Sequence, residues 1–145
     1  SLTHIVAKLG GHFTLASPEG YDLSEQAIAI ADKIAETSGS KFRYLRDPHE
    51  AVKHAHVIYT DTWTSMGQEA EAKKREAVFP PFQVNEKLVS EADKSAIVMH
   101  CLPAHRGHEI TDEVADGPHS RLFPQAHNRM HAQKGILAYI FGVGK

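Results

Sequence analysis

The chain has 145 residues, 41% of them hydrophobic and 23% charged, with a formal net charge of −2 at pH 7. That length fits one domain with its own core, and the near-neutral charge excludes the broad positive field that draws nucleic acid or acidic membrane surfaces, which leaves a small-molecule partner as the better fit. With no apolar run of roughly 18 residues, no charged-then-apolar leader and Cys101 as the sole cysteine, a spanning segment, a signal peptide and an internal disulfide are not expected, and a reducing, cytoplasmic setting is.

In chain order, Leu2, Ile5, Val6 and Leu9 recur at helical spacing and Gly10-Gly11 supplies a stop. "HFTLASPEG" reads as a short strand running into a turn. Ala27, Ile30, Ala31 and Ile34 mark the buried face of a second helix, which Asp22 or Ser24 can cap and Gly39 can end. "KFRYLR" is the next strand. In "DPHEAVKHA", Asp47 is placed as N-cap, Pro48 at the first helical position and Glu50 at the third. "VIYT", residues 57–60, is a strand, the charged "QEAEAKKREAVF" a solvated helix closed by Pro80 and Pro81, and "NEKLVSEA" a small helix. "SAIVMHC" is a continuous apolar run of the kind found where both faces of a sheet are covered. "HNRMHAQKGILAYIFG" is a closing helix with Met130, Leu137 and Phe141 near one face, alongside Ile136 and Ile140. Helices alternating with short apolar strands predict an α/β fold with a mostly parallel sheet, whose ligands bind at the strand carboxyl ends.

Two unusual clusters lie at that edge: "DTWTSMG" after the strand at 57–60 and "HCLPAHRG" after the last strand. A carboxylate at Asp61 can meet a ligand ammonium while the backbone N–H groups that follow donate to a ligand carboxylate, a combination that suits an amino acid. Asp61 can equally cap the helix over 68–78. Gly67 lets the loop bend tightly or a backbone approach closely, and Trp63 alone reads as packing. Cys101 stands beside a Leu-Pro peptide that can be cis and hold an unusual turn. As a nucleophile Cys101 needs a lowered pKa, which His100 or Arg106 can supply; a lone Cys at a strand end also serves as a small apolar filler. His100, Cys101, His105 and His108 raise the question of zinc, yet the spacing matches neither C-x2-C nor H-x3-H, and no metal site is expected. Arg129, placed near the start of the closing helix, works against the helix dipole there, which points either to a bidentate anion contact or to a surface salt bridge.

Taken together, "YTDTWTSMGQE", "MHCLPAHRGHEITDEV" and "HNRMHAQKGIL" resemble the ornithine carbamoyltransferase family, and the similarity runs in order over essentially the whole chain. Aspartate carbamoyltransferases have no S-M-G loop and usually a Pro in place of Cys101. The resemblance implies a Rossmann-like three-layer α/β domain and a soluble transferase of arginine biosynthesis. Its reaction is attack of the δ-amine of L-ornithine on carbamoyl phosphate, giving L-citrulline and phosphate without a cofactor. By the same resemblance Asp61 and Ser65 hold the α-amino end of ornithine, the Met66 N–H meets its carboxylate and Gly67 lets the loop close. Cys101 and the Leu102 carbonyl hold the δ-amine and carbamoyl group, with the Leu102-Pro103 peptide cis, and Arg129 holds carbamoyl phosphate; Cys101, Asp61 and Arg129 are the implied catalytic set.

The family's carbamoyl phosphate domain, with its S-T-R-T loop and H-P-x-Q motif, has no counterpart in these residues. Neither has the first strand of the ornithine domain with its Asn-bearing loop, and His127 stands where many members carry Glu. The resemblance therefore implies that residues 1–145 are an incomplete ornithine-binding domain, inactive alone. Its partners are the N-terminal domain of the same enzyme and a trimer-based homo-oligomer. With an interior strand missing, the strands at 12–16 and 57–60 are not expected to pair with each other. A reading of another class is a non-catalytic amino-acid-binding or assembly module derived from that domain.

Overall fold

The computed structural model describes residues 1–64 and 67–143. The chain forms two compact units, Ser1–Lys53 and His54–Lys145, and each holds one two-stranded parallel sheet.

The first unit runs α1 (Leu2–Lys8), β1 (Phe13–Ala16), α2 (Glu25–Ser38), β2 (Phe42–Leu45) and α3 (Pro48–Val52). β1 and β2 pair in parallel from Phe13 opposite Phe42 to Ala16 opposite Leu45, with the two Phe rings stacked at 5.9 Å. The expected stops and starts operate as chemistry requires. Ser24 accepts from the Ala27 N–H at 3.3 Å, Gly39 ends α2 at φ +73°, and Asp47 accepts from the His49 N–H at 2.9 Å with Pro48 in the first turn. Asp22 is no cap; it pairs with Arg46 at 2.7 Å. The apolar period misses the buried face of α1 and largely finds that of α2, where Ala27 and Ile34 are half-buried as well. α1 buries Thr3 and Ala7 and leaves Leu2, Ile5 and Leu9 exposed, and α2 buries Ala31 while Ile30 is exposed. α1 and α2 pack on each other, with His4 Nε2 of α1 3.1 Å from the Ala27 carbonyl of α2.

The second unit runs β3 (Val57–Thr60), α4 (Ala72–Val78), α5 (Glu86–Ser90), β4 (Ile97–His100), α6 (Asp112–Ala115) and α7 (Leu122–Ile140), with single 3-10 turns at Glu69–Glu71 and Pro80–Phe82. Each strand begins within a residue or two of where its apolar run begins. β1 and β3 belong to different sheets, as the sequence predicts. β3 flanks β4 on one side, from Val57 opposite Ile97 to Thr60 opposite His100. On the other side the Val98 N–H donates to the His119 carbonyl and the Arg121 N–H donates to the Val98 carbonyl, both at 2.8 Å. A strand bonded along both edges is interior, which is why Val98 and His100 are fully buried. Ile110, Val114 and Leu122 close the same core.

Two features correct the sequence reading. α6 carries no period that four residues can display. α7 begins at Leu122, five residues before the expected "HNRM", because Pro124 in the first turn lacks only an N–H that would have no partner there. The expected apolar face of α7 is not buried: Met130, Ile136, Leu137, Ile140 and Phe141 are exposed, and Leu122 is the buried residue. No helix among the described residues is long and apolar enough to cross a membrane.

Gly117 closes α6 and leads the chain back to β4. A side-chain carbon there would collide with the backbone carbonyl of Glu113. Gly117→Ala is expected to lower stability by about 1–3 kcal/mol in urea denaturation, whereas Gly135→Ala, with nothing near it in α7, is expected to raise it by roughly 0.5–1 kcal/mol.

Candidate functional site

The register of β3 and β4 puts Thr60 opposite His100, so Asp61 and Cys101 leave the sheet as neighbours. The Cys101 thiol donates to Asp61 Oδ1 at 2.9 Å, and the same oxygen accepts the Thr62 N–H at 2.7 Å. Asp61 therefore turns back onto its own strand end. The capping role is overturned: the residue before α4 is Glu71, whose side chain makes no capping bond. Arg75 of α4 donates to the Trp63 carbonyl at 2.9 Å and to Glu71 at 3.0 Å, tying the helix to the loop that follows Asp61. Trp63 packs beside Phe79 and His108, at 6.1 and 5.6 Å between ring centres, as a packing residue should. Gly67 has φ +86°, a backbone conformation that glycine alone adopts freely. Ser65 and Met66, the other two expected ornithine-binding residues, lie outside the described residues.

Burial first, then the hydrogen bond and negative charge of Asp61, push the Cys101 thiol up to about 11. A thiol so placed is protonated at neutral pH and is not an activated nucleophile. Neither proposed activator serves it. His100 Nδ1 is 3.9 Å from the sulfur but already accepts the Leu102 N–H at 2.8 Å, and Arg106 is committed to Asp112 at 2.8 Å and to Asp116 through both terminal nitrogens. Burial, followed by the neighbouring Cys101, also holds the Tyr59 hydroxyl above its ordinary value.

The Leu102-Pro103 peptide is cis, as expected, and Leu102 has φ +55°. Behind this turn His100 Nε2 meets Glu109 Oε1 at 3.0 Å, and that oxygen accepts the His105 N–H at 2.6 Å. Burial pushes the Glu109 carboxyl up, but the bonds from His100 and the His105 amide outweigh it, and the pKa lies below the ordinary carboxylate value. Gln125 of α7 accepts the His100 N–H at 3.0 Å, completing the β4 backbone where the 119–121 segment has left it. Glu109, Gln125 and Tyr59 were not singled out from the sequence. The one available signal was an acid in "HEIT" next to an isoleucine that is fully buried.

Arg129 is the eighth residue of α7 and exposed, so the dipole argument, which applies only to a terminal turn, does not bear on it. Among the described residues no three His, Cys, Asp or Glu side chains gather as metal ligands. His100 in particular has both ring nitrogens engaged.

A parallel α/β unit with a carboxylate, a neutral thiol and a shaped turn at the carboxyl ends of adjacent strands is an arrangement that can bind and position a small molecule. The family profile described as aspartate/ornithine carbamoyltransferase, Asp/Orn binding domain, matches residues 1–140, and the chain belongs to that family. It is 54% identical over 135 residues to the ornithine carbamoyltransferase of Thermococcus kodakarensis, covering 93% of this chain and 43% of that protein. Against the Methanopyrus kandleri ornithine carbamoyltransferase the identity is 51% over 142 residues, 98% of this chain and 46% of the relative. The solved ornithine carbamoyltransferase of Pyrococcus furiosus superposes with a TM-score of 0.92 at 52% identity, covering all of this chain and 46% of that one; the Rossmann-like α/β fold is shared. The chain thus spans less than half the length of each of these relatives.

Asp61→Asn removes the charge and the charged acceptor that, after burial, raise the thiol pKa. The pH profile of Cys101 alkylation is expected to move to lower pH, and an unchanged profile would show that the two side chains are not coupled. A raised thiol pKa in the folded state stabilises the fold fully below the ordinary cysteine value near 8.5 and is lost as pH rises through about 11. Alkaline melting curves of Asp61→Asn should accordingly lose less stability across that window than the wild type.

Proposed function

We propose that the chain supplies the ornithine half of a carbamoyltransferase site, in which the δ-amine of L-ornithine takes the carbamoyl group of carbamoyl phosphate to give L-citrulline and phosphate. The observation that carries this reading is the Asp61–Cys101 pair, 2.9 Å apart at the ends of β3 and β4. The names of the relatives support the choice of substrate. Asp61 is the anchor for the α-ammonium, with Ser65, Met66 and Gly67 forming the loop over the amino-acid end. Cys101 and the Leu102 carbonyl position the amine and the carbamoyl group, and Arg129 faces carbamoyl phosphate. Residues 1–145 act as the ornithine-binding domain, with a carbamoyl phosphate domain and a homo-oligomer as partners in the cytoplasm.

The attacking amine must be neutral, and an alkylammonium near the lysine value of roughly 10.4 is not neutral at pH 7. A closed site that desolvates it favours the free amine. The neutral thiol of Cys101 leaves sulfur lone pairs to accept an N–H, so the chain contributes proximity and orientation, not a covalent intermediate.

The test joins this chain to the N-terminal half of the Pyrococcus furiosus relative and measures citrulline. Asp61→Asn is expected to raise the ornithine KM roughly ten- to a hundredfold, since a charged hydrogen bond contributes about 1.5–3 kcal/mol, with little change for carbamoyl phosphate. Cys101→Ser is expected to lower kcat and leave residual turnover. Ornithine binding by a chimera that forms no citrulline would favour the non-catalytic binding module, and a trapped carbamoyl-Cys101 would refute the positioning role.

A further inference from the structure

His100 and Glu109 are fully buried side chains that the reaction as read above does not use. Their hydrogen bonds fix a protonation pattern. The Leu102 backbone N–H can only donate, so His100 Nδ1, 2.8 Å away, is the accepting nitrogen. The ring proton then sits on Nε2 and points at Glu109 Oε1 at 3.0 Å. That one oxygen also takes the His105 N–H at 2.6 Å. Glu109 therefore grips the segment 100–105 at both ends, through the His100 ring and through the His105 amide. Between those grips lies Leu102, whose φ of +55° is a left-handed conformation that leucine rarely adopts. The N–H of that same residue is the one the His100 ring holds. Glu109 Oε2, by contrast, is buried with no hydrogen-bond partner among the described residues and lies 4.0 Å from His105 Nδ1. A carboxylate placed for stability alone is poorly served by an unpaired oxygen.

We propose that Glu109 is a positioning residue, acting through His100 Nδ1 and the His105 N–H to hold the Cys101–Leu102 turn and so to set where the Cys101 sulfur and the Leu102 carbonyl stand. Its bearing on catalysis rests on the reading that these two groups face substrate; its bearing on the turn does not. The tautomer is part of the device. Were the ring proton on Nδ1, the Leu102 N–H would face a donor and the turn would open.

The sole cysteine reports the turn, because only its thiolate is alkylated and the thiolate fraction follows its surroundings. Iodoacetamide alkylation of this chain is followed against pH without substrate, so the result stands apart from the ornithine reading. The wild-type midpoint is expected near 11. Glu109→Met, which removes the acceptor, is expected to lower the midpoint by about one unit or more, a rate increase of about tenfold at pH 8. Glu109→Gln, which keeps one carbonyl oxygen in the same place, is expected to restore it. A purely structural role for Glu109 would lower the melting temperature of the Met variant and leave the midpoint where it was, which would overturn the proposal. Should Glu109→Met not fold, His100→Asn and His100→Leu decide the matter. Asn still offers an oxygen to the Leu102 N–H and is expected to stay near the wild-type midpoint, while Leu offers none and is expected to shift. Equal midpoints for the two refute the proposal. Nitrogen-15 NMR of the histidine rings is expected to show His100 protonated at Nε2, and a proton on Nδ1 would equally refute it.

Discussion

Thr60 lies opposite His100 in the parallel ladder between β3 and β4, and the rest of the site follows from that register. Two parallel strands in step deliver their next residues to the same edge and in the same direction. Asp61 and Cys101 therefore emerge side by side although forty positions separate them in sequence. A slip of one residue would turn each side chain to the opposite face of the sheet and bring Cys101 level with Thr60. The register is protected because β4 is bonded along both edges and its inward residues, Val98 and His100, are fully buried.

His100 is the unusual member of that strand. A polar ring in an apolar run is costly unless each of its polar atoms finds a partner, and here each does. Nδ1 takes the Leu102 N–H, Nε2 meets Glu109, and the backbone N–H goes to Gln125. The three partners come from the turn after β4, from the loop before α6 and from α7. One buried residue thus ties the strand end to three segments, two through its ring and one through its backbone N–H, and the half-buried thiol-bearing turn is built on a closed interior network.

The sequence showed the strands well and the helix faces poorly, for one physical reason. A short apolar run bounded by turn residues has few alternatives, so residues 57–60 and the run ending at His100 were legible to within a residue or two. An amphipathic period predicts a helix without saying what covers it. Leu2 and Ile5 of α1 and Leu9 just past its end are exposed, while the small Thr3 and Ala7 are the buried residues of that helix. The site was half legible. Asp61 and Cys101 stood out because polar residues directly after apolar strands have few structural uses. Glu109 and Gln125 did not, since their roles depend on neighbours that only the fold brings together. Arg129 was placed too near the helix start because the closing helix was begun at His127, whereas Pro124 is tolerated in its first turn and the helix begins at Leu122.

The state of the thiol decides what kind of chemistry the edge can support. With the S–H directed at Asp61 Oδ1, sulfur presents lone pairs, not negative charge, to whatever approaches. Asp61 uses Oδ1 twice, for Cys101 and for the Thr62 N–H, while Oδ2 has no bond among the described residues and the side chain is exposed. One oxygen fixes the carboxylate to the end of β3, and the other carries no bond to any described residue. An acid anchored by one oxygen beside a thiol that can accept a hydrogen bond but is not ionised to attack is an arrangement suited to positioning a ligand rather than to covalent chemistry.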